Sequence, residues 1–246
     1  NTMIDHFERV HLHHLSAQHK DEDFCRQTFE HKLRQWQAKR RIRNQTYVQA
    51  CADRRHQTCR YVMRIFGRNA KGKIQFAHEL RVLQALSDRK IDFIPQVHTA
   101  FLCHDFGLLV QAKWDGDILD FLFAQKEGDL EAAFQRAHHM AQMMMAELHQ
   151  AGYCYGQNAV DFRNVIVCRQ SKCPDVMKSD AGFHLGLQDW RGALPVTPAG
   201  AEQDLHQINL LFMEIAQLVQ ALRRHEPLPQ HLPHAMRTKA SKLHEW

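Results

Sequence analysis

The chain has 246 residues, 44% apolar and 24% charged, enough to bury a core of its own with no need for a disulfide framework or a structural metal. No run reaches the ~18 apolar residues of a membrane span, and the opening "NTMIDHFERVHLHHL" puts charge and histidine where a secretory signal needs an apolar stretch, so neither is expected. The formal charge of +5 is concentrated: "KLRQWQAKRRIR", from Lys32 to Arg43, holds six Lys or Arg and no acid, which leaves about −1 for everything else.

Residues 1–43 read as helix, with Phe24, Thr28, Leu33 and Trp36 loosely on one face, and residues 1–44 are taken as a basic helical N-terminal extension. The basic stretch 32–43 suits an anionic membrane surface or a phosphorylated glycan, no specific nucleic acid being expected, and a merely solvated helix face stays open beside it. Seven scattered cysteines without a CxxC pair imply free thiols in a reduced compartment, hence a cytoplasmic protein, peripheral on the inner face of the membrane if the basic stretch binds there. Cys168 and Cys173 have no matching second pair for zinc, and the 19 histidines show no converging set.

Thr46 to Cys51 and Cys59 to Phe66 read as two strands around a turn near Arg54 to Gln57. "KIQFAHELRVLQALSD" places Ile74, Ala77, Leu80, Val82, Leu83 and Leu86 at helical spacing. "PQVHTAFLC" and "GLLVQAKW" are strands on either side of "HDFG", whose Asp105 and Gly107 suit a hairpin reversal. The chain then turns helical in "DILDFLFA" and the long "LEAAFQRAHHMAQMMMAELHQAG", capped by Gly152, with Met143 to Met145 as core filler. "NVIVCR" and "FHLGLQDW" are short strands, and "EQDLHQINLLFMEIAQLVQALRR" is a last strong helix before a proline-punctuated tail.

This order, with an arginine ending "YVMR" and a glutamate in mid-helix fifteen residues on, resembles the protein-kinase-like fold over roughly residues 45–222. In its details it is similar to the lipopolysaccharide-core (Kdo and heptose) sugar kinases. The resemblance implies an α+β, bilobal kinase-like fold, with a small β-rich N-lobe over 45–115 and a mainly helical C-lobe over 116–246. Arg64 stands at the phosphate-binding lysine position and Glu79 at the helix glutamate that orients it. Val62, on the Arg64 face of the strand, and Gln111 complete the implied cofactor-binding set for ATP. Asp189 in "GLQDWRG" and Asn164 in "DFRNVIV" match the two Mg²⁺ ligands, oxygen donors of the kind a hard cation needs. Asp204 matches the acid that braces the catalytic loop. Asp105, lying before the hinge, is a turn residue and no metal ligand.

The pattern departs from the family in three places. The first glycine is Gly67, so no glycine-rich loop covers a phosphate. Where an acid orients the acceptor hydroxyl, one count lands on Ala159 and the other on Gln157; Asp161 is the nearby carboxylate, and Asp161 and Gln157 are the catalytic candidates. Fifteen positions from Asp189 to Asp204 leave no room for a peptide-docking activation segment, which favours a small-molecule or glycan acceptor, or a pseudokinase with nothing to dock. Two functions follow: an ATP- and Mg²⁺-dependent phosphotransferase to a saccharide hydroxyl, or a pseudokinase serving as a nucleotide-binding or scaffold module.

Overall fold

In the computed structural model the described residues are 18–19, 41–42, 45–50, 61–66, 70–102, 107–156, 160–169 and 182–243. They fall into two compact units, 1–113 with 189–191, and 114–188 with 192–246.

The first unit is built on a sheet whose strands are β1 (Gln18–His19), β2 (Arg41–Ile42), β3 (Gln45–Ala50), β4 (Tyr61–Phe66), β5 (Val97–Leu102) and β6 (Gly107–Ala112). Their spatial order is β1-β5-β6-β4-β3-β2. β3 and β4 pair antiparallel, as the two β-rich runs suggest. The short strands β1 and β2 correct the helical reading at the four residues that they occupy. β1 pairs parallel with β5 and β2 antiparallel with β3, and strand edges with open N–H and C=O groups outweigh local helical preference there. The other residues of the basic stretch 32–43 lie outside the described residues.

β5 and β6 form the expected hairpin, Leu102 opposite Gly107, and the turn reading of Asp105 falls outside the described residues. The glycine of "HDFG" has a packing reason: a Cβ on Gly107 would fall 2.3 Å from Cγ of Phe76. β6 has neighbours on both edges, and Leu108, Leu109 and Val110 are buried without alternation, as a strand covered on both faces requires. Helix α1 (Ala70–Asp88) buries Phe76, Glu79, Leu80, Val82, Leu83 and Leu86. Ile74 is 69% exposed and Ala77 is exposed too, so the buried stripe runs through Phe76 rather than through those two positions.

In the second unit a sheet of β10 (Phe183–Leu187), β9 (Val165–Arg169) and β7 (Gly116–Asp117) stands beside a β11 (Leu194–Pro195) and β8 (Tyr153–Cys154) ladder. Its helices are α2 (Ile118–Phe123), α3 (Glu127–Gln150), α4 (Pro198–Arg223) and α5 (His234–Leu243). α3 buries Ala133, Ala137, Ala141, Met144, Met145 and Leu148, and α4 buries Ile208, Leu211, Phe212, Ile215 and Leu218, both at the three-to-four spacing of a single helix face. Met143 is exposed, so two of the three methionines fill the core. α4 starts earlier than its apolar run because Thr197 caps it through Gly200 N and Pro198 sits in the first turn. Asp117 caps α2 in a capping box with Asp120, and Lys239 of α5 bonds both carboxylates, which gives the proline-rich tail a helix that periodicity alone did not reveal.

Cys154 is free and buried, whereas Cys168 in β9 is disulfide-bonded, a correction to the free-thiol expectation at that position. Such a bond needs two Cβ atoms within about 4 Å, which no scattered spacing reveals. Among the described residues no helix is long and apolar enough to cross a membrane.

Candidate functional site

Strand alternation sends Arg64 and Phe66 to the same buried face of β4, and both are buried. In the β4–β6 ladder Val62 lies opposite Gln111 and Arg64 opposite Leu109, so Gln111 is the diagonal neighbour of Arg64. The Arg64 guanidinium uses that diagonal, with Nη1 donating to Gln111 Oε1 at 3.4 Å. α1 supplies the counter-charge: Nη1 and Nη2 donate to the two Glu79 oxygens, the second bond at 2.8 Å. Arg64 is 1% exposed and Glu79 0%, so a full ion pair lies inside the first unit. The Arg64–Glu79 pair expected from the sequence is therefore present, and it is inward-facing. Val62 is half-buried.

Glu79 has a second task. Its Oε1 accepts the backbone N–H of Trp190 at 3.2 Å, tying α1 to the segment that carries Asp189. Trp190 is fully buried and its ring packs 6.3 Å from that of Phe93. Asp189 itself has φ of 71°, a left-handed conformation that costs a non-glycine residue of order 1 kcal/mol and persists where the surroundings fix it. Here the Trp190 amide and the Asp189 side chain fix it. The Asp189 carboxylate is gripped by Arg191, Nε donating to Oδ1 at 2.5 Å and Nη2 to Oδ2.

The second unit repeats that device. Asp161 caps a short 3-10 turn (Phe162–Asn164) and accepts the Arg163 backbone N–H at 2.9 Å, Nε at 2.7 Å and Nη2 at 2.5 Å. Both acids thus belong to an Asp-aromatic-Arg triplet, "DFR" and "DWR", closed by the same two-pronged guanidinium bond. The two arginines are the partners of these acids that motif matching passed over, and the repeated triplet is the signal that could have found them. Asn164 donates its amide to the Gln188 carbonyl at 3.2 Å, and Gln188 returns its own amide to the Arg163 carbonyl at 2.6 Å. Gln157 lies outside the described residues.

Asp204, 1% exposed in α4, accepts the backbone N–H groups of Tyr155 at 2.7 Å and Gly156 at 3.0 Å, and His149 Nε2 lies 3.0 Å from its Oδ2. It braces the loop after β8, as the sequence implies. Gly156 has φ of +67° and a Cβ there would meet the Gly192 carbonyl oxygen at 2.0 Å, so only glycine fits the braced turn.

Magnesium chemistry can be tested against these donors. Two unit charges 4 Å apart interact by about 4 kcal/mol at an effective dielectric near 20, and a divalent ion doubles that. An ion on the Asp189 oxygens would face that repulsion from the Arg191 guanidinium, so the residues as arranged do not fit Mg²⁺ unless Arg191 leaves. Arg64, buried and spent on Glu79 and Gln111, does not present a guanidinium to a phosphate either.

No protein-family model matches the sequence, and no curated protein matches it. Among solved structures the chain is similar to one described as a divergent kinase that lacks the glycine-rich loop and regulates membrane ultrastructure of the Toxoplasma parasitophorous vacuole. The TM-score is 0.55 at 14% identity, over 98% of this chain and 82% of that one. The fold is therefore kinase-like, a mixture of helices and small antiparallel sheets. At that identity the likeness extends to the fold and no further.

Proposed function

We propose that this chain is a kinase-fold module that acts by binding, as a scaffold, and transfers no phosphoryl group. The observation that carries the proposal is the pair of arginine clamps: the acid at the metal position and the nearest acid to the acceptor-orienting position are each neutralised by the arginine two residues on. The absence of any glycine before Gly67 points the same way. In this reading Arg64 and Glu79 are an internal brace that holds the Trp190 segment to α1, and the basic stretch 32–43 offers an anionic membrane surface as partner.

The test is thermal denaturation of the full chain with ATP, with ATP and Mg²⁺, and with chelator, on the parent and on Arg191→Gly. The parent melts at one temperature in all three, and the variant gains a Mg²⁺-dependent shift. A Mg²⁺-dependent shift in the parent, followed by phosphate on a saccharide acceptor, overturns the proposal.

That outcome would establish the second reading, an ATP- and Mg²⁺-dependent phosphotransferase of the lipopolysaccharide-core sugar kinase type acting on a small-molecule or glycan hydroxyl. Two observations favour it: the strained φ of Asp189, and Gln111 Nε2, a buried amide donor with no hydrogen-bond partner among the described residues.

A further inference from the structure

We infer that His149, Cys154 and Asp204 form a metal site of the zinc type inside the second unit, beneath the braced loop. Nε2 of His149, Sγ of Cys154 and a carboxylate oxygen of Asp204 lie within 4.8 Å of one another. The three come from the end of α3, from β8 and from the buried face of α4, so the packing of three elements brings them together. Imidazole, thiolate and carboxylate are the donor types that zinc combines, at about 2.0–2.3 Å in a tetrahedron. Those bond lengths place neighbouring donors roughly 3.3–3.7 Å apart. The His149 and Asp204 atoms stand 3.0 Å apart already, so an ion enters with a small separation of that pair and a modest approach of the sulfur.

The surroundings suit the ion. Gly152, with φ of +87°, ends α3 and reverses the chain, which lets His149 and Cys154, five residues apart, both face α4. One turn before Asp204, α4 carries Gly200, where a Cβ would fall 2.7 Å from the Cys154 sulfur; the missing side chain makes the berth for that sulfur. Asp204 is oriented by the Tyr155 and Gly156 amides, the kind of supporting bond that fixes a ligating carboxylate. The described contact of the Cys154 sulfur with the Thr197 carbonyl is long, 3.9 Å, so coordination sacrifices little. Cys154 is a free cysteine, 3% exposed, and would bind as thiolate, releasing its proton to solvent, while the His149–Asp204 hydrogen bond is replaced by two coordinate bonds. Three protein donors leave a fourth position for water. The bound ion would join α3, β8 and α4 in one rigid knot.

The experiment is metal analysis of the full chain purified without chelator, with Co²⁺ titration of the metal-stripped parent and of Cys154→Ser. One zinc per chain is expected to survive gel filtration, and Co²⁺ gives the thiolate charge-transfer band in the near ultraviolet. Cys154→Ser loses that band and binds zinc more than about tenfold more weakly. A parent that retains no zinc and gives no band refutes the site without needing any variant. A band unchanged in Cys154→Ser places the metal on other thiols and refutes it equally.

Discussion

Arg64→Met is the most informative single change in the first unit. The side chain is 1% exposed and its partner Glu79 is 0% exposed, so the substitution strands a carboxylate that has no access to water. Removing one member of a buried pair costs about 3–5 kcal/mol, and for a chain of this length that lowers the melting temperature on the order of 10 °C. Glu79→Gln strands the guanidinium instead, yet keeps an oxygen for the Trp190 amide, so its loss comes from charge alone. Because each single variant suffers from the other's unpaired charge, the double variant loses less than the sum, by about 2 kcal/mol. Arg64→Lys keeps the charge but not the two-pronged bond and falls between parent and Arg64→Met. The assay is thermal and urea denaturation of the four proteins of the cycle, with and without ATP. In the scaffold reading the losses are the same with and without nucleotide. A single-variant loss under about 1 kcal/mol, or strict additivity in the cycle, would refute the claim that this pair is a buried brace.

Burial raises the Asp117 carboxyl above its ordinary value, against the opposing pull of Lys239. A group raised in this way contributes stability that is complete below its unfolded pKa, about 4, and is lost as pH rises through the folded value. Asp117→Asn keeps a capping oxygen and removes the slope, so the parent's advantage in urea denaturation is largest at the acid end and narrows towards neutrality. An advantage that grows with pH would mean that the ion pair with Lys239 outweighs burial. For the stretch 32–43, binding to vesicles of acidic lipid should fall steeply as salt shortens the screening length below about 8 Å. Salt-independent binding would point to apolar insertion, and its absence to a solvated segment.

The sequence by itself determined those features whose cause is local. The α3 and α4 stripes and the apolar β6 run follow from side-chain patterning, and the pairing of β5 with β6 follows from two β-rich runs close together in the chain. Glu79 and Arg64 were legible because their order and fifteen-residue spacing resemble the kinase pattern, and the fold pairs them. Asp204 was legible through the same resemblance, and the fold sets it on the Tyr155 and Gly156 amides. Tertiary structure alone decided the rest. β1 and β2 are too short to carry a pattern, and they exist because β5 and β3 offer edges to pair with. The Cys168 disulfide and the meeting of His149, Cys154 and Asp204 depend on where three elements land in space. The Arg163 and Arg191 clamps are close in sequence, but whether an arginine turns back onto an acid two residues earlier is set by backbone torsion, and the left-handed φ of Asp189 is held by the Glu79 contact with Trp190. The sequence could place an acid at each position; only the folded chain could commit that acid to an internal cation.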